Sequence, residues 1–223
     1  MGFTTIQEQQ IVIQEEKLTN FAMKKQLGSI TENEGKKYDL IAPAFADMRN
    51  KFYSEQKYLD LLIKYLQPAS HILDVGCGSG HPIASYLIEQ GFHVTGVDAS
   101  KELLKIAEKK CPLMKCVYGD IRNVDIQNRY DAIVEWWCLF HLPKQDHETI
   151  IARCAAWLKE GGILEFTTGD HEYVGISSNM LNQALPYFSL SPTCYEKYLK
   201  KYGFKILLKE SDQPQHLVWI AKK

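Results

Sequence analysis

Apolar positions are loosely spaced at the start of the chain, gather into compact runs through its middle, and close in two short runs joined by a tight polar turn. Residues 2–37 are polar and helix-prone, and Ile6, Ile11, Ile13, Leu18, Phe21 and Leu27 follow a helical period only roughly. A helical extension over 1–37 is expected there, apart from the unit over 38–223. Residues 38–66 read as helix, with a clearer stripe at Leu59, Leu62, Ile63 and Leu66 that Gln67-Pro68 ends. Strand and helix then alternate. The pattern predicts strands over 71–75, 93–97, 115–118, 130–135 and 163–168, and helices over 82–90, 100–110 and 145–159. Pro82 starts one helix, Gly91 follows its end, Ser100 supplies an N-cap for the next, and Gly161-Gly162 stops the third. Such alternation implies a parallel sheet with helices on both faces.

The last segment breaks the rhythm. A helix is expected over 191–202, then strands over 204–209 and 215–221, joined only by Ser211-Asp212-Gln213-Pro214. A parallel crossover needs a dozen or more residues, so these strands should form an antiparallel hairpin. Residues 169–191 read as an irregular stretch rich in Tyr, Asn and Ser. It overhangs the end of a strand, where long loops bind ligands or simply pack as surface excursions. Tyr173, Tyr187 and Tyr195 are its candidate acceptor contacts.

Composition narrows the function classes. The chain has 223 residues, of which 45% are apolar, enough for one substantial core. A net charge of −1 supplies no field to draw it to nucleic acid or an anionic membrane. No apolar run approaches the roughly 20 residues of a membrane helix. Cys77, Cys111, Cys116, Cys138, Cys154 and Cys194 form no CxxC pair, and no secretory leader is evident, so a reducing cytoplasmic setting is expected.

Three elements carry candidate chemistry. In Asp74-Val75-Gly76-Cys77-Gly78-Ser79-Gly80 a buried strand ends, the chain turns on three glycines and a helix begins. Glycines there let backbone approach a ligand at the carboxyl edge of the sheet, although a plain tight turn has the same look. His81 stands where a dinucleotide fingerprint would place its third glycine, which argues against a nicotinamide cofactor. Asp98, about one helix and one strand later, either accepts from the ribose hydroxyls of an adenosine group or caps the next helix. After the third strand, Gly119-Asp120-Ile121 offers a carboxylate and a backbone N–H to an adenine edge.

In this order, with Tyr130-Asp131-Ala132-Ile133-Val134 and Leu158-Lys159-Glu160-Gly161-Gly162, the elements resemble the class I S-adenosylmethionine-dependent methyltransferases from about Tyr38 onward. The resemblance implies an α/β, Rossmann-like, mostly parallel seven-stranded sheet with an antiparallel last strand and helices on both faces. It implies S-adenosylmethionine as cofactor and S-adenosylhomocysteine as product; the transfer chemistry requires no metal, and no cluster has metal-ligand spacing, so none is expected. Carried over by position, Asp74, Gly76, Gly78 and Gly80 line the methionine end, Asp98 and Ala99 take the ribose and adenine face, and Asp120 and Ile121 take the adenine edge. Glu135 or Trp136 should lie near the sulfonium. Tyr38 and Arg49, in a lead-in that resembles the cofactor cover of small-molecule members, are placed for the cofactor carboxylate, where Arg forks well.

Methyl transfer mainly requires alignment of two reactants, with removal of a proton where the nucleophile needs it. His141 is the candidate general base, and Trp136 or Trp137 can face the cation through a ring. Asp212, Gln213 and His216 flank the final turn; acceptor binding is open to them, but plain turn residues explain them as well. The expected function is methylation of a small-molecule acceptor at oxygen or nitrogen. A nucleic-acid or protein methyltransferase and a nonenzymatic adenosyl-ligand binder are the alternatives.

Overall fold

Successive strands in this chain bury both faces, and that fixes the layering. The structure, a computed structural model, describes residues 34–223, the side chains of 177–179 excepted. The expected extension over 1–37 therefore lies almost wholly outside the described residues. The first described helix, α1 (Glu34–Met48), begins four residues before the boundary expected at Tyr38. The central sheet holds β1 (His71–Val75), β2 (His93–Asp98), β3 (Lys115–Tyr118), β4 (Tyr130–Glu135), β5 (Leu158–Gly169), β8 (Lys205–Gln213) and β9 (His216–Lys222). Their spatial order is β3-β2-β1-β4-β5-β9-β8. The pairings β2–β3, β1–β2, β1–β4 and β4–β5 are parallel, while β9 lies antiparallel to both β5 and β8. The expected seven-stranded sheet with a reversed last strand is thus present.

Alternate residues feed two cores, as the pleat requires. Leu73, Val97, Ile133, Leu164, Phe166 and Trp219 face α5 (Lys144–Trp157) and α6 (Pro192–Lys201). Ile72, Val94, Ala132, Val134, Ile163 and Ile220 face α2 (Glu55–Leu62), α3 (Ile83–Glu89) and α4 (Lys101–Lys110). Among the described residues no helix is long and apolar enough to cross a membrane.

Three expectations need correction. The helix read over 38–66 is two helices, because the chain turns between Met48 and Glu55. Glu55 folds back to accept from the Tyr53 N–H at 2.7 Å and pairs with Arg49 at 2.5 Å, a local alternative to continued helix. The irregular stretch over 169–191 is instead a hairpin of β6 (Tyr173–Met180) and β7 (Gln183–Ser189). Its turn is Leu181-Asn182, both at positive φ, and Leu in place of the usual Asn-Gly hides the signal. Tyr195, a candidate acceptor contact, is fully buried in the core, where its hydroxyl bonds His147 Nδ1 at 2.8 Å.

Helix α1 is pinned across the start of α4. Ser100 caps α4 by accepting from Leu103 N–H at 3.1 Å and donates its hydroxyl to Asp39 Oδ1 at 2.7 Å. Asp39 also accepts from Glu102 N–H at 3.0 Å, so a carboxylate from α1 serves the positive end of α4. Gly35 permits the approach: a Cβ there would sit 2.2 Å from the Ala99 carbonyl oxygen. Asp39→Ala is therefore expected to cost about 1 kcal/mol. A urea midpoint unchanged from the parent chain would contradict this docking.

Candidate functional site

The turn after β1 and the end of β2 meet at one carboxylate. Asp98 Oδ2 accepts from Gly78 N–H at 2.8 Å and its Oδ1 accepts from Ser100 N–H at 2.7 Å. Asp98 is therefore not the helix cap, which is Ser100, but it accepts from that residue's N–H while also holding the glycine turn. A carboxylate has about four acceptor positions, so two remain for a ligand. Gly76 passes so close to the next strand's end that a Cβ would lie 2.6 Å from Cys138 Cβ. Burial raises the Asp98 pKa, opposed by the Ser100 and Gly78 N–H groups. Burial, with the Asp98 charge and against Arg49, lifts Asp74 to about 7.

These groups border a cavity of about 320 Å³. Of the residues singled out from sequence, Tyr38, Arg49, Asp74, Gly76, Gly78, Asp98, Ala99, Asp120, Ile121, Trp136 and His141 line it. Gly80 and Glu135 do not. Gly80 faces back into the fold, where a Cβ would lie 3.0 Å from Cys111 Cβ. Glu135 is buried and turned into the loop behind β4, where Oε1 accepts from Cys138 N–H at 2.8 Å and Leu139 N–H at 2.5 Å. Burial raises its pKa to about 8 against those N–H groups.

Asp120 is more committed than its turn suggested. Arg122 Nε lies 3.0 and 2.9 Å from its two oxygens, Arg122 Nη2 lies 2.5 Å from Oδ2, and Arg122 N–H adds a bond at 2.8 Å. Against the upward push of burial, this fork holds the Asp120 carboxyl below its ordinary value. Glu34 is a cavity residue that sequence reasoning missed, because it lies in a stretch without a readable motif. Its Oε2 is buried without a hydrogen-bond partner, and burial lifts its pKa to about 7 against Lys37 and Arg122.

His141 joins three elements. Its Nδ1 lies 3.0 Å from the Pro186 carbonyl, which only accepts, so the ring proton sits there. Nε2 then accepts from the Tyr38 hydroxyl at 2.9 Å. Burial lowers His141 to about 4. The lone pair that a general base would use is already taken by Tyr38.

A second cavity of about 540 Å³ adjoins the first and shares Trp137, Phe140 and Met180 with it. Trp137 stands at φ 59, a left-handed backbone for a bulky residue, which costs on the order of 1–3 kcal/mol unless its surroundings hold it. They do. Trp137 N–H donates to Thr167 Oγ1 at 2.9 Å, and the indole Nε1–H donates to His216 Nε2 at 2.8 Å. The other ring nitrogen, Nδ1, bonds Asp212 Oδ1, and Asp212 Oδ2 accepts from the Ser54 hydroxyl at 2.5 Å. The plain-turn reading of Asp212 and His216 is therefore replaced by a relay with both side chains buried. The Arg49 guanidinium carbon lies 4.8 Å from the Trp137 ring centroid.

The His141 geometry sets a pH dependence. Its folded pKa is depressed below 6.5, so between 6.5 and about 4 the unfolded chain binds the extra proton. That stability contribution, on the order of 3 kcal/mol, is present above 6.5 and lost as pH falls towards 4. Imidazole nitrogen shifts should report a neutral Nδ1–H ring down to about pH 5; a midpoint near 6.5 would contradict the pairing.

Residues 72–162 match a family described as "Methyltransferase domain". A ubiquinone biosynthesis O-methyltransferase of Coxiella burnetii is 35% identical over 117 residues, 48% of each chain. The chain thus spans about half the length of that curated relative. Among solved structures, Burkholderia thailandensis 1,6-didemethyltoxoflavin-N1-methyltransferase, with its acceptor and S-adenosylhomocysteine bound, superposes at a TM-score of 0.65 and 19% identity, covering 100% of this chain and 92% of its own. The cyclase SpnF gives 0.69 at 17% identity, covering 86% and 96%. Residues 72–162 are thus similar to a methyltransferase domain, and the chain as described has the fold of S-adenosylmethionine-dependent methyltransferases of known structure.

Proposed function

We propose that this protein transfers a methyl group from S-adenosylmethionine to a small-molecule acceptor. The observation that carries the reading is the convergence of the Gly76–Gly78 backbone, Asp98 and the Asp120-Ile121 turn on one cavity. The donor set fits the cofactor. Gly78 has open space beside it, since a Cβ added there would meet only Phe45, at 3.7 Å, and Asp98 keeps acceptor capacity for two hydroxyls. Arg49 Nη1 is buried without a hydrogen-bond partner, which suits a carboxylate. Glu34 Oε2, beside the Gly35–Ala99 contact, is the acceptor left free for an adenine amino group now that Arg122 occupies Asp120.

Bound there, S-adenosylmethionine supplies an electrophilic methyl group on a positively charged sulfur. The chain's own work is alignment and exclusion of water. Trp136 and Trp137 close the cavity beyond Asp74, and Tyr38, held by His141, covers it from α1. The adjoining second cavity gives an acceptor a place beside the first. The curated relative named above supports oxygen as the attacking atom, and the Burkholderia neighbour supports nitrogen. The cyclase neighbour supports a second reading, in which the adenosyl fold serves a reaction without methyl transfer.

Asp98→Ala should weaken S-adenosylhomocysteine binding about ten- to a hundredfold, or roughly 1.5–3 kcal/mol, with Asp98→Asn between it and the parent. Calorimetric titration checks this, and equal affinities would remove Asp98 from the site. Labelled methyl donor incubated with a panel of small hydroxyl- and nitrogen-bearing acceptors should yield labelled product. Tight S-adenosylhomocysteine binding with no transfer to any acceptor would favour the second reading.

A further inference from the structure

The second cavity has an aromatic and aliphatic side, with His171, His216, Gln213 and Gln215 as its polar lining. Phe140 and Tyr187 stack with ring centroids 4.5 Å apart and planes 19° from parallel, which makes a flat aromatic face. Tyr173 meets Tyr187 edge-on at 5.7 Å and 73°. Ile176 and Met180 add aliphatic surface, and Trp137 stands on the side shared with the first cavity. Tyr173 and Ile176, which line it, are 43% and 37% exposed, so this apolar lining is open to a guest.

The charge is equally one-sided. Among the described residues lining this cavity there is no Lys, Arg, Asp or Glu. Two carboxylates stand just behind the walls: Asp212, spent on Ser54 and His216, and Asp170, bonded to the lining His171; Arg49, beside the Trp137 ring, is paired with Glu55. An anionic guest would lose its water here beside two carboxylates and find no Lys or Arg in the walls. A flat neutral ring would keep ring-on-ring contact with Phe140 and Tyr187. The Gln213 and Gln215 carboxamides, on the exposed turn at the cavity, supply neutral hydrogen-bonding groups for one or two polar substituents.

We propose that this cavity binds the methyl acceptor, and that the acceptor is a neutral, planar aromatic molecule stacked against the Phe140–Tyr187 pair, with Trp137 flanking the junction of the two cavities where its attacking atom meets the methyl group. The assignment rests on the methyltransferase reading for the word acceptor. The binding site itself rests only on the walls. The Ser54–Asp212–His216 relay then has a defined purpose: it holds the indole of Trp137 at the boundary of the two cavities in a backbone conformation that a tryptophan would otherwise leave.

The test uses the full chain at neutral pH, with and without saturating S-adenosylhomocysteine, and two probes of one shape: 2-naphthol, which is uncharged, and 2-naphthoate, an anion. Calorimetry should show saturable binding of 2-naphthol, at least about tenfold tighter than 2-naphthoate. Ile176→Glu, a change at a partly exposed position, should weaken 2-naphthol at least about fivefold while S-adenosylhomocysteine affinity stays at the parent value, which also reports an intact fold. Failure of 2-naphthol to saturate, equal or tighter binding of 2-naphthoate, or indifference to Ile176→Glu would each overturn the proposal. If 2-naphthol behaves as expected but S-adenosylhomocysteine does not bind, the cavity assignment stands and the methyltransferase reading falls.

Discussion

The bond from Gly78 N–H to the half-buried Asp98 carboxylate is the joint on which the rest of this molecule turns. It ties the loop after β1 to the end of β2, two elements that the parallel sheet already sets side by side. Without that acceptor, a backbone N–H in the glycine turn would be left unpaired inside a cavity wall, and the turn would have no reason to keep its left-handed glycines. With it, the free edges of both loops face the same space. The same carboxylate accepts from Ser100 N–H, Ser100 bonds Asp39, and Asp39 brings α1 down as the cover of the cavity. One half-buried acid therefore organises a turn, a helix start and a docked helix in sequence.

A second chain of bonds organises the neighbouring space. Ser54 and Asp212 are 158 positions apart, yet their bond begins a relay that runs through His216 to the Trp137 indole. The relay draws together the segment before α2, the β8–β9 turn and the end of β4. It holds a tryptophan at positive φ as a fixed wall bordering both cavities. His141 does the equivalent on the other side, holding Tyr38 of α1 and the Pro186 carbonyl of β7. Both histidines spend their two nitrogens on neighbouring side chains and backbone.

Much of this was legible from sequence, for physical reasons. The glycine turn and Asp98 could be read because turn chemistry is local and the spacing of one helix and one strand is fixed by geometry. The reversed strand could be read because four polar residues cannot carry a parallel crossover. The β6–β7 hairpin was hidden by Leu181-Asn182, which adopts the left-handed pair without the glycine that usually announces it. Asp212 and His216 look like any polar turn until burial shows otherwise. Glu135 and Gly80 sit at the right places in the chain, but their environments turn them inward: two N–H groups capture the Glu135 carboxylate, and Cys111 backs Gly80. Glu34 carried no local signal, since its importance comes only from α1 being docked.

The central claim is that three separate stretches of backbone close on a single adenosyl group. Amide hydrogen exchange with and without S-adenosylhomocysteine measures it directly. The account requires that residues 76–80, 98–100 and 119–121 all slow together when the ligand is added. Slowing confined to one of these stretches, or equal slowing of all three by NAD, would contradict it.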